Sequence, residues 1–113
     1  MAKRIVDTVT IAISTSLSPA FAAGDGALVG IIMPAAWTAA ALTFQGSQDG
    51  VNFFNIYDAG TERQIATDAS RALSLTHTDW LAFPFLKIRS GTSGAAVNQL
   101  ATRNLTIIRR AFQ

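Results

Sequence analysis

The dipeptide Asp49-Gly50 sits between two runs of strand-forming residues, Leu42–Ser47 and Asn52–Tyr57. An Asp-Gly reversal between such runs is a strong short-range signal for a β-hairpin, because the turn needs positive φ, which Gly adopts freely and Asp tolerates. In the first run Leu42 and Phe44 point one way and Thr43 and Gln45 the other, the two-residue period of a half-buried strand. In the second, the same alternation puts Phe54 and Ile56 on one face, with Asn55, Tyr57 and Phe53 on the opposite one. A hairpin with one apolar face cannot stand alone in water; the rest of the chain has to cover it.

The remaining segments repeat this pattern. Ile5, Val9, Ile11 and Ile13 share one parity, and Thr8, Thr10 and Ala12 the other. The same region resembles a signal peptide ending in Ala20-Phe21-Ala22-Ala23. Asp7 stands where an apolar core would begin, the region is rich in Thr and Ser, and Pro19 precedes the supposed cut, so a strand is the preferred reading. Asp7 interrupts its apolar face near one end, where it can still reach solvent. Gly24-Asp25-Gly26 turns the chain into Ala27–Met33, apolar on both faces, which suits a central strand or an edge used in assembly. Pro34 ends it, and Ala35–Ala40 is a helical turn or a loop with Trp37 tucked beneath it.

Beyond the hairpin, strands are expected at Thr61–Thr67, Arg71–Thr76, Phe85–Ser90 and Asn104–Phe112, with Val97–Arg103 open between loop and strand. In Phe85–Ser90, Leu86 and Ile88 should face inward and Lys87 and Arg89 outward. About eight short strands at regular spacing, with no long helix, predict a single all-β domain over 1–113: an antiparallel β-sandwich of jelly-roll type.

The chemistry of function is nearly silent. The one histidine, His77, lies two residues from Asp79, but no Gly-x-Ser-x-Gly turn presents a nucleophile; a strand-end hydrogen bond is the simpler role, and His77→Ala is expected to leave function intact. The carboxylates are spread through turns, where Asp serves the backbone. With no cysteine, one histidine and no phosphate-binding glycine loop, no catalytic, metal or cofactor site is expected. A calcium ion held by turn carboxylates stays open as a minor alternative. Basic residues are scattered, without a stripe interleaved with stacking aromatics, which argues against nucleic acid; nothing approaches a membrane span. Trp37, Tyr57 and Trp80 could stack on sugar rings, or plug the core or a subunit contact.

Only 14% of residues are charged, against about 25% in a typical domain. Either the surface is made of Ser and Thr, or much of it is covered by other subunits.

The segment Leu42-Thr43-Phe44-Gln45-Gly46-Ser47-Gln48-Asp49-Gly50-Val51-Asn52-Phe53, followed by Leu86-Lys87-Ile88-Arg89-Ser90-Gly91, resembles galactose-binding-like sandwiches. With Gly30–Pro34 and Trp37 it is similar to small structural proteins of tailed-phage virions, such as capsid decoration (cement) proteins. The resemblance covers about half the chain and brings no sugar-binding residues with it. It implies a non-enzymatic virion protein on the capsid surface, a homo-oligomer (a trimer is expected) bound to the major capsid protein or other virion subunits, without cofactor. The residues expected to meet partners are Lys3, Arg4, Ile5, Trp37, Trp80 and Val97, on the N-terminal segment, the Pro34–Ala40 and Gly91–Gln99 loops and the connection before Phe85. The alternative it leaves is a carbohydrate- or receptor-binding module of a tail or host-facing surface.

Overall fold

The computed structural model describes residues 3–76 and 79–111. Eleven strands and no α-helix occur among them. They are β1 (Arg4–Ile11), β2 (Phe21–Ala22), β3 (Gly26–Ile32), β4 (Leu42–Ser47), β5 (Phe54–Asn55), β6 (Tyr57–Asp58), β7 (Thr61–Glu62), β8 (Gln64–Ile65), β9 (Ala72–Ser74), β10 (Phe85–Ser90) and β11 (Arg103–Ala111). One sheet runs β1-β11-β3-β9; the other runs β2-β10-β4-β5, with β8 also paired to β4; β6 and β7 form a small ribbon. Every pairing is antiparallel. The pairings are nested. First meets last (β1 with β11), then β2 meets β10, β3 meets β9 and β4 meets β8. The chain is thus one long hairpin, rolled so that β11 also reaches β3 and β10 also reaches β4.

The two larger sheets share one core in a sandwich-like arrangement. Val9, Ile11, Leu28, Ile31, Leu105 and Ile107 come from the first sheet, and Leu42, Phe44, Leu86 and Ile88 from the second. The alternation read from the sequence holds in β1, β4 and β10, and β11 alternates too, with Leu105 and Ile107 buried and Ile108 half-buried. In β3 it breaks: Leu28 and Ile31 are both buried. The register shifts between Ile108/Gly30 and Arg109/Leu28, so Val29 is the extra residue of a β-bulge, which reverses the faces on either side of it. That is why the run looks apolar on both sides. Asp7 does reach solvent, and its carboxylate pairs with Arg109 at 2.6 Å; Asp25 pairs with the other arm of the same guanidinium.

The hairpin departs from expectation in its return strand. Gly50 alone of the pair takes positive φ (78°), and the turn is wider than a two-residue one, β5 starting only at Phe54. Asp49 holds it: one carboxylate oxygen accepts the Val51 and Asn52 amides at 2.9 and 2.8 Å, and the other accepts the Asn52 side-chain amide at 2.8 Å. These donors hold the Asp49 carboxyl far below the usual carboxylate range. A depressed folded-state value stabilises the fold fully above the unfolded value, about 4, and the contribution drains away as pH falls below it. Asp49→Asn is therefore expected to lower stability at pH 7 and to lessen its decline between about pH 4 and pH 2, as read by urea midpoints across that range. An Asp49→Asn curve parallel to wild type would contradict it.

Past Asn55 the chain leaves the sheet. Ile56 turns into the core, while Phe54, expected to share its face, is 70% exposed. β8 then returns to the sheet beside β4, and the β6–β7 ribbon between β5 and β8 brings Glu62 to Arg89 on the outward side of β10. Ala35–Ala40 is a loop, with Trp37 half-buried and its Nε1 donating to the Ala40 carbonyl at 3.0 Å. Val97–Arg103 is loop up to β11.

Candidate functional site

Two buried polar clusters account for much of the side-chain chemistry, and both are structural. Arg89 does lie on the outward side of β10, as its parity requires, but Asn55 and Glu62 cover it. Its Nη2 donates to Asn55 Oδ1 at 2.6 Å and its Nη1 to Glu62 Oε2 at 3.3 Å, and Glu62 in turn accepts the Ser93 amide. Lys87, on the same side, stands 4.3 Å over the Phe53 ring. The second cluster is Gln99, fully buried beside Ser90, on the inward side of the same end of β10. Its Oε1 accepts from the Thr38 amide and Arg103 Nε, and its Nε2 donates to the Thr38 carbonyl and Ser90 Oγ. The two loops expected to reach neighbours are thereby tied to each other, which limits how far either can extend. Glutamine in a glycine- and alanine-rich loop gave no sequence signal for this.

The expected partner-binding residues do not form one patch. Lys3, Arg4 and Ile5 lead into β1, with Arg4 exposed directly opposite Arg110 of β11. Trp37 belongs to its own loop, and Val97, half-buried, donates its amide to the Ser90 carbonyl. Trp80 is the clear correction. At 2% exposure, its ring centroid 4.2 Å from that of Phe44, it plugs the core and offers nothing to a partner or a sugar. Size decided this: a large apolar ring following a short connection fills the space between two sheets. His77 lies outside the described residues, and among those residues no group of three or more His, Cys, Asp or Glu could hold a metal.

Among the described residues, two of the surfaces that the chain leaves uncovered bear on function. The first is the outer face of the β1-β11-β3-β9 sheet. Val6 lies opposite Ile108, which lies opposite Gly30; Thr8 lies opposite Thr106, and Thr106 opposite Ile32. Val6 is 55% and Ile32 41% exposed, with Ile108 half-buried between them. Across its middle this face carries only Thr, Ala, Ser, Gly and aliphatic side chains, and its charges sit at one end, at Arg4 and Arg110. The outer side of the other sheet, by contrast, carries Lys87 and, at Arg89, is covered by Asn55 and Glu62.

The second surface lies around Phe83, whose ring stands so close to Gly46 that a Cβ there would come within 2.5 Å of it. One cleft of about 280 Å³ is lined by Ile56, Tyr57, Asp58, Arg63, Asp79 and Phe83. Another, of about 230 Å³, lies between Phe83 and Phe54 beside Asp49 and Asn52. Tyr57 is 55% exposed. Arg63 and Asp79 pair with each other at 2.6 Å, which balances those two charges within the first cleft.

No family model matches this chain, and no curated protein matches it. A chain in a structure of Bacillus endospore appendages, a family of disulfide-linked pili, aligns over 100% of this chain and 92% of its own length, at 16% identity and a TM-score of 0.41. A likeness at that score does not establish a shared fold.

Proposed function

We propose that this chain is a non-enzymatic structural subunit that works in many copies, and that it decorates the outside of a tailed-phage capsid, where it reinforces the shell. The observation that carries this reading is the asymmetry between the two sheets: one outer face carries Lys87 and the Arg89–Glu62 pair, and the other is left bare, aliphatic and almost uncharged through its middle. A bare face of this kind is usual at an interaction site. Excluding water from it stabilises an assembly by roughly 25 cal/mol per Å² of apolar surface, before the costs of association. The partner is the major capsid protein or a neighbouring virion subunit, and the place is the virion surface. The resemblance of Gly30–Pro34, Trp37 and the hairpin to small structural proteins of tailed-phage virions supplies the choice of shell.

The nested pairing supports reading the fold as a jelly roll. Counted that way, the interrupted β5 and β8 stand as one strand beside β4, and β6–β7 is an inserted ribbon, leaving eight strands, four to a sheet.

The test is co-sedimentation with capsids lacking this chain, with Ile32→Asp as the probe variant. Wild type should bind and raise the temperature at which shells rupture. Ile32→Asp, a change at a solvent-facing position, should fold normally and bind at least tenfold more weakly. Equal binding by the two proteins, or shells that rupture no later with wild type than without it, would count against the reading.

A second reading rests on the Phe83 clefts. Exposed Phe54 and Tyr57 beside polar side chains suit a saccharide, whose ring faces stack on aromatics. It predicts saturable hits on a glycan array that Tyr57→Ala removes.

A further inference from the structure

The sheet with the bare face also has an unusual edge. β1 is its outermost strand, eight residues long, and its register with β11 runs without a bulge from Arg4 opposite Arg110 to Ile11 opposite Arg103. The Ala111 amide donates to the Lys3 carbonyl, which fixes the parity of the ladder. Odd-numbered residues of β1 exchange hydrogen bonds with β11, and Arg4, Val6, Thr8 and Thr10 turn their N–H and C=O groups to the open edge. No hydrogen bond to those groups occurs among the described residues. A long, flat, unpaired edge is a template for another strand, and most proteins blunt such edges. Here the facing edge of the second sheet is blunted, since β2 has two residues and follows Pro19; the far edge of the same sheet, β9, has three. β1 is not blunted.

We infer that β1 pairs with β1 of a second copy across a two-fold axis at Thr8, joining two four-stranded sheets into one of eight strands. Symmetry and charge select this register. The outward-facing groups belong to even-numbered residues, so an antiparallel match must set even against even. Two such registers overlap over seven residues of β1, one centred on Asp7 and one on Thr8. The first sets two carboxylates face to face, which is unfavourable for a cross-strand pair. The second sets Thr8 against Thr8, Val6 against Thr10, Ile5 against Ile11 and Asp7 against Val9, with no like charges opposed.

An inward-pointing charge on an edge strand ordinarily guards against pairing. Asp7 is such a charge, but Arg109 holds it at 2.6 Å, which takes away much of the guard. A cleft of about 200 Å³, lined by Thr8, Val9, Thr10, Pro19, Ala20 and Phe21, lies along the same edge and leaves room for the incoming strand's side chains. A second copy also brings β1 already extended, so pairing orders little new backbone. The joined sheets would carry two bare faces side by side, so this interface adds to the proposed role without depending on it.

The chain has no cysteine, so single cysteines report the register cleanly. Thr8→Cys should form a disulfide-linked dimer under mild oxidation within minutes. Val51→Cys, in the exposed turn at 78% accessibility, should link at least tenfold more slowly. Wild type should sediment at twice the 12.0 kDa chain mass. Thr8→Pro removes only an outward-facing N–H, and Thr8→Lys sets two like charges on the axis; at least one of them should sediment as a folded monomer with an unchanged far-ultraviolet spectrum. A wild-type monomer or trimer, or cross-linking no faster at Thr8→Cys than at Val51→Cys, would overturn the inference. Ile32→Asp keeps the two readings apart: it should weaken shell binding and leave the dimer intact.

Discussion

Replacing Arg89 by alanine is expected to destabilise the fold by about 3–5 kcal/mol, the usual cost of breaking a buried ion pair from one side. The guanidinium is the post on which the β5–β8 segment rests. It bonds Asn55 and Glu62, and Glu62 also anchors the Ser93 amide. Removing it leaves the Glu62 carboxylate, 11% exposed, without its countercharge. The β6–β7 ribbon would then lift from the sheet, exposing Thr43. Arg89→Lys keeps the charge but loses the forked geometry that reaches Asn55 and Glu62 together, so an intermediate loss is expected. Replacing Arg89 and Glu62 together by Met and Leu should recover most of it, since no charge is then stranded. Urea midpoints for the four proteins decide the matter. An alanine variant within about 1 kcal/mol of wild type would mean that the pair is effectively solvated.

Phe44→Ala should cost a similar amount, about 3–5 kcal/mol, by a different route. Phe44 is fully buried at the centre of the shared core, tilted 48° to Trp80. Its loss leaves a void between sheets that cannot close without moving β10 or β11. The melting temperature should fall by roughly 10–25 °C, and Trp80 fluorescence should shift to the red as water reaches the void. Phe44→Leu keeps most of the volume and should cost far less. A normal melting temperature combined with lost assembly would instead place Phe44 and Trp80 at a contact between subunits, as the sequence alone allowed for Trp80.

The strands of the core were legible because their signals are local. Alternation placed Leu42 with Phe44 and Leu86 with Ile88 on shared faces, and each pair is buried. Asp7 near the end of its strand was read correctly as a group that reaches solvent. What escaped was long-range. Arg89 has the parity of an outward residue, and nothing near it in sequence says that a segment more than twenty residues upstream will fold over it. Gln99 looks like any loop glutamine until Thr38, Ser90 and Arg103 converge on it. The β3 bulge was hidden for a related reason: an inserted residue makes two buried faces out of one, and Ala27–Met33 reads as apolar throughout. Phe54 keeps the parity of Ile56, whose amide still donates to the Phe44 carbonyl, but it lies opposite Gly46, where Phe83 takes the space, and is left exposed.

The bare sheet face had a faint trace in composition, since a chain with so few charges has either a Ser/Thr surface or surface that other subunits cover. Composition could not say which surface. Of the six residues expected to meet partners, three introduce the strand bordering that face, one is in the core, and two sit in loops held by Gln99 and its neighbours.

Hydroxyl-radical footprinting of this chain, free and mixed with capsids of the proposed kind, separates the readings in one experiment. Strong protection of Val6, Ile32 and Ile108 on binding, with Phe54, Tyr57 and Leu81 as reactive as in the free protein, is the result expected of a subunit that covers its bare sheet with the particle. Unchanged reactivity at Val6, Ile32 and Ile108, or protection confined to Phe54 and Tyr57, would contradict it.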